Sequence, residues 1–133
     1  MVVAACCLLQ SCAGGAPGPE QGSDTGIRIS GVIIRNELAY PVSDAMILVP
    51  STGRFASCGN IMQRSRCSTS FPAADYRQLA IVISWKERGE PQSTDEFIVK
   101  VPARMAAGAD AWLEVIVFSK GQAGARLVSD PGP

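Results

Sequence analysis

Leu79-Ala80-Ile81-Val82-Ile83-Ser84-Trp85-Lys86 decides the fold class. Leu79, Ile81, Ile83 and Trp85 share one parity, and Ala80, Val82, Ser84 and Lys86 share the other. A period of two is that of a β-strand with one buried face. Downstream, Phe97, Val99 and Val101 repeat the pattern against Ile98 and Lys100. Leu113, Val115 and Val117 then alternate with Trp112, Glu114, Ile116 and Phe118. Upstream stand the apolar run Ala45–Val49 and the β-branched stretch Ile27–Asn36, where Gly31 interrupts the alternation as a bulge would. A last short run is Ala125–Val128. Between these runs lie the turn signals Pro50-Ser51-Thr52-Gly53, Arg88-Gly89-Glu90-Pro91, Ala107-Gly108-Ala109-Asp110 and Lys120-Gly121. No stretch carries a long helical period, and Pro102–Ala107 forms a helical turn at most. The pattern predicts an all-β, antiparallel β-sandwich of about seven short strands over residues 27–128, with a tail over 129–133.

Composition narrows the chemistry. The 133 residues carry 12 Lys plus Arg and 12 Asp plus Glu, so no basic excess points to nucleic acid. The chain has no histidine, which removes the usual general base near neutral pH and the commonest metal ligand. No cofactor and no metal are implied. Of five cysteines, Cys6, Cys7 and Cys12 precede the domain, and Cys58 and Cys67 lie within it. The latter two sit among Ser, Arg, Gly and Asn, so a local disulfide is expected rather than two buried thiols. Such a pair implies an oxidising compartment.

The first nine residues, MVVAACCLL, are apolar and too short to span a bilayer, as in the apolar region of a signal peptide. Leu9-Gln10-Ser11-Cys12 then resembles a bacterial lipobox. The resemblance implies a signal peptide over 1–11 and a diacylglycerol on the Cys12 thiol. Val3-Ala4-Ala5-Cys6 also fits the pattern, but almost nothing apolar precedes it. Residues 13–26 are Gly, Pro, Ala and polar residues, a composition expected to serve as a tether.

Catalytic constellations are few. Asp24-Thr25-Gly26 matches the aspartic-protease tripeptide, but Gly22-Ser23 stands where an apolar strand is needed. A serine triad lacks its histidine. Asp95-Glu96 and Asp44 read as solvated carboxylates. A thiol–disulfide enzyme using Cys58 and Cys67 is the rival reading, since Arg54, Arg64 and Arg66 surround them in sequence and would lower a thiol pKa. The segment Arg54–Arg77 is the uneven stretch of the surface, with four arginines against the single acid Asp75. It reads either as a solvated sheet edge or as an anion-facing partner surface formed by Arg54, Arg64 and Arg66.

Gly31-x4-Asn36, Val42 with the Ala45–Val49 strand, Ile61 before Phe71, Val101-Pro102, Ala107-Gly108 and Leu113–Val117 together resemble the FxLYD-type and related immunoglobulin-like domains of bacterial envelope lipoproteins. Met46-Ile47-Leu48-Val49 stands near the place of that family's aromatic signature, and Trp85 resembles the core tryptophan of immunoglobulin sandwiches. Cys58 and Cys67 are closer in sequence than the inter-sheet pair of antibody domains. The resemblance implies an immunoglobulin-like sandwich and lends no catalytic residue. The expected function is that of a non-catalytic interaction or structural module. It would be lipid-anchored in the bacterial envelope, facing the periplasm, with an envelope protein or glycan as partner. Ala13 after the acylated cysteine resembles lipoproteins of the outer membrane more than of the inner.

Overall fold

Alternation along each strand sends one set of side chains inward, and the chain folds so that these sets meet between two sheets. The computed structural model describes residues 27–76, 78–103, 105 and 110–129. Cys12, the segment 13–26 and most of the tail lie outside the described residues. Nine strands form: β1 (Ile27–Asn36), β2 (Val42–Val49), β3 (Arg54–Ile61), β4 (Arg66–Tyr76), β5 (Leu79–Glu87), β6 (Glu90–Ser93), β7 (Phe97–Val99), β8 (Asp110–Ser119) and β9 (Gln122–Val128). No helix is present among the described residues. One sheet has the order β4-β1-β8-β9, and the other β3-β2-β5-β6 with β7 also on β5. The protein is therefore an all-β sandwich.

Two features differ from the sequence expectation. Strands number nine among the described residues rather than about seven, chiefly because the stretch between the expected Ala45–Val49 and Leu79–Trp85 runs, where the sequence pattern predicts no strand, contains β3 and β4. Both are sheet-edge strands, and their sequences RFASCGNI and RCSTSFPAADY dilute the apolar alternation with Ser, Arg and Gly. The other difference is direction. Six of the seven strand pairings are antiparallel, but the central pair β1–β8 is parallel, with Ile34 opposite Val115.

Bulges set the phase of the two earliest strands. In β1, Ile27 and Ile29 face inward, the register shifts between Ile29 and Gly31, and Val32, Ile34 and Asn36 then carry the core face. Gly31 is required there because the Trp112 ring lies against it, where a Cβ would collide. In β2 the shift falls between Val42 and Ala45 and places Asp44 at φ 51°. On β5, Leu79, Ile81, Ile83 and Trp85 are all buried, as the alternation predicts. β6 and β7 form one broken edge on β5. At the break, Thr94 N–H donates to the Ile83 carbonyl at 2.9 Å, and its hydroxyl accepts from Ile83 N–H at 3.0 Å.

The sandwich has two ends. Ile27, the β2–β3 turn at Pro50–Gly53, the end of β7 and the start of β8 share one, called here the entry pole. The opposite pole is closed by polar groups. Asn36, fully buried, donates from Nδ2 to the carbonyls of Tyr40 (2.9 Å), Ile61 (3.1 Å) and Met62 (3.2 Å), and accepts from Leu38 N–H (3.0 Å). Glu87, also buried, accepts from Trp85 Nε1 (2.9 Å), Tyr40 Oη (2.9 Å) and Gly121 N–H (2.8 Å).

Candidate functional site

The outer face of the five-stranded sheet holds a cleft of about 540 Å³. Met46 and Ser57 are directly opposed across β2 and β3, and Met46 and Ser84 across β2 and β5. Below them the bulge at Asp44 coincides with Gly59 at φ 70°, so the sheet hollows. Pro91, Gln92 and Ser93 of β6 and Lys86 complete the walls. Asp44 and Lys86 form an ion pair at 3.4 Å, both largely exposed. The lining thus offers three hydroxyls, an amide and a paired carboxylate and ammonium around a thioether. That is a surface for hydrogen bonding and packing. The ionisable groups in the lining are Asp44 and Lys86, and they are paired with each other.

The arginines expected to form one surface are divided. Arg54 opens β3 at the entry pole, whereas Arg64 sits in the β3–β4 turn, at φ 56°, and Arg66 opens β4 at the opposite pole. The seven steps along β3 put Arg54 roughly 23 Å from the turn that holds Arg64. Arg64 and Arg66 are brought together, and Arg66 lies opposite Arg35 of β1. Asp95 and Glu96 fall in the break between β6 and β7. The Asp24-Thr25-Gly26 tripeptide lies outside the described residues.

Cys58 and Cys67 are joined by a disulfide, with Cα atoms 6.1 Å apart. Although nine residues apart in sequence, they belong to different sheets: Cys58 to edge strand β3 and Cys67 to edge strand β4. The bridge closes one open side of the sandwich, and both cysteines pack partly buried against the core.

Two buried carboxylates escape a reading by motif. Burial by itself pushes the Glu87 carboxyl up, but hydrogen bonds from Gly121, Trp85 and Tyr40, with Lys120 nearby, outweigh it and hold the group below its usual range. The bond to Glu87 is in turn the main reason the Tyr40 hydroxyl is raised, and Arg88 lies over the Tyr40 ring at 4.2 Å. Glu114 behaves like Glu87. Burial opposes its ionisation, and hydrogen bonds from Arg126 and Arg35 on either side overcome this, so its pKa is lowered. Every oxygen of Glu87 and Glu114 already has a donor.

No groups of three or more His, Cys, Asp or Glu placed to hold a metal occur among the described residues. No helix among them is long and apolar enough to cross a membrane. No family model matches the chain, and no curated protein matches it. Among solved structures, the chain is similar to an NMR structure of a protein from Eubacterium rectale, at 11% identity and a TM-score of 0.47, over 86% of this chain and 97% of that one.

Proposed function

We propose that the protein is a non-catalytic module of the bacterial envelope, exported, held at a membrane through a lipidated Cys12, and binding an envelope partner through the outer face of its five-stranded sheet. The observation that carries this reading is the Cys58–Cys67 bridge between the edges of the two sheets, a bond that persists in oxidising compartments. The leader ending in Leu9-Gln10-Ser11-Cys12 supports the anchor, and the resemblance to FxLYD-type lipoprotein domains supports the same setting. The cleft lined by Asp44, Met46, Ser57 and Gln92 supports a binding role, because it offers several hydrogen-bonding groups in one concavity.

The test is metabolic labelling of the full chain with a clickable fatty acid in a bacterial host. Label and membrane association should both depend on Cys12 and vanish in Cys12→Ser. Unlabelled, soluble protein that retains Met1 would refute the anchor and the location with it. For the partner surface, a photo-crosslinker at Ser57 should capture a partner in intact envelopes that one at Phe118, on the other sheet's outer face, does not. Equal yields from the two positions would remove the cleft from consideration.

A further inference from the structure

Five large apolar side chains are exposed among the described residues: Phe55 (57%), Met62 (59%), Ile98 (54%), Val101 (40%) and Phe118 (51%). Three of them, Phe55, Ile98 and Val101, gather towards the entry pole. Strand register makes this a continuous feature. Phe55 is opposite Leu48, Leu48 is opposite Val82, and Ile98 is opposite Ala80 on the far side of β5. Leu48, Val82 and Ala80 are half-buried, on the outward parity of their strands. The result is an apolar strip across four strands, about 14 Å wide at ordinary strand spacing. Exposed cations stand at both ends: Arg54 directly before Phe55, and Lys100 two residues after Ile98 on the same parity. Asp95 and Glu96 lie further from the pole, toward the middle of the sheet.

We infer that this strip is a membrane-docking face, in which Phe55, Ile98 and Val101 enter the headgroup region while Arg54 and Lys100 meet anionic lipid phosphates. The inference rests on the proposed acylation of Cys12 and deepens it. Ile27, where the described chain begins, lies at the same pole as the strip. Fifteen residues from Cys12 to Ile27 span at most about 50 Å, so an anchor at Cys12 holds this pole within that reach of the bilayer. Tethering makes docking an intramolecular event, for which a few apolar side chains with flanking cations suffice. The cleft at Asp44, Met46, Ser84 and Lys86 begins two residues further from the entry pole along β2 and β5.

The test uses full-length Cys12→Ser protein, so that no acyl chain contributes, with vesicles of phosphatidylethanolamine and phosphatidylglycerol. Phe55→Ser and Ile98→Ser should each lower partitioning by about tenfold, the apolar leader being common to all samples. Arg54→Ser with Lys100→Ser should abolish the preference for anionic over zwitterionic vesicles. Tryptophan fluorescence, from Trp85 and Trp112 together, checks that each variant is folded. Partitioning that none of these substitutions changes overturns the inference. So does a dimer that Phe55→Ser converts to monomer with vesicle binding unaltered, which would make the strip an interface between copies. The mass of the wild-type Cys12 peptide separates the two readings. An unmodified Cys12 with strip-dependent binding supports docking and overturns the anchor, whereas an acylated Cys12 with strip-independent binding overturns docking alone.

Discussion

Replacing Asn36 isolates what the buried polar pole contributes. Asn36→Ala leaves the Leu38 N–H and the Ile61 carbonyl, both in buried bonds to this side chain, without partners, at about 1–2 kcal/mol each. The bonds to Tyr40 and Met62 carbonyls are half-buried, and water replaces them at a cost of about 0.5 kcal/mol each. The sum is about 3–5 kcal/mol, a large part of the roughly 5–15 kcal/mol a domain of this size has in reserve. At about 4–5 °C per kcal/mol, melting should fall by roughly 12–25 °C. Asn36→Asp distinguishes hydrogen bonding from shape. Its carboxylate would face three carbonyl oxygens, so its pKa in the folded state is raised above the unfolded value. That contribution is intact below the unfolded carboxyl pKa and is lost as pH rises through the folded one. Urea unfolding followed by the fluorescence of Trp85 and Trp112 should therefore show Asn36→Asp gaining stability relative to Asn36→Ala as pH falls from 7 to 4. A loss below about 1 kcal/mol in Asn36→Ala, or two variants that stay parallel across pH, would refute the reasoning.

Gly31→Ala should destabilise by about 1–3 kcal/mol, because its methyl meets the Trp112 ring, and Trp112→Leu in the same chain should restore part of the loss in a double-mutant cycle. Acid should weaken the fold. Glu87 and Glu114 both have folded pKa values below the unfolded carboxyl value, so their contribution is present above about pH 4.5 and drains as pH falls through the depressed values. Glu114→Gln should flatten that acid limb and cost about 1 kcal/mol at pH 7, a small figure because Arg35 and Arg126 are well exposed. Cys58→Ser with Cys67→Ser should lose about 2–3 kcal/mol. Peptide mapping after alkylation of the oxidised wild type should find both sulfurs blocked, and rapid exchange with glutathione would instead favour the thiol–disulfide enzyme.

Much of the sandwich was legible in the sequence because strands with one buried face carry a period-two record of it. Leu79–Trp85 and Leu113–Val117 show both faces of that record, and Gly31 declared its bulge by breaking it. Edge strands record less. β3 and β4 are paired on only one side within their sheets and tolerate Ser, Gly and Arg, so the alternation fades and the stretch resembles a loop. The direction of β8 was also illegible, because parallel and antiparallel partners impose the same alternation on a strand that neighbours both. The cleft follows from two bulges falling at one level on adjacent strands, a coincidence of register that no local spacing encodes. Glu87 and Asn36 have ordinary sequence neighbours, and only the three-dimensional closure of the pole gives them their donors and acceptors.

The central pair β1–β8 joins residues such as Ile34 and Val115, which lie 81 positions apart. Contacts so remote in sequence form late, because a long loop must close before they stabilise anything. β1 is synthesised first among the strands, yet its sheet lacks a middle until β8 exists and an outer strand until Val128 is in place. For a chain threaded through a translocation channel with its first strand leading, this ordering acts as a timer. If the chain is exported as proposed, the β4-β1-β8-β9 sheet cannot complete until β8 and β9 have crossed, and the topology itself would keep the chain slack enough to pass.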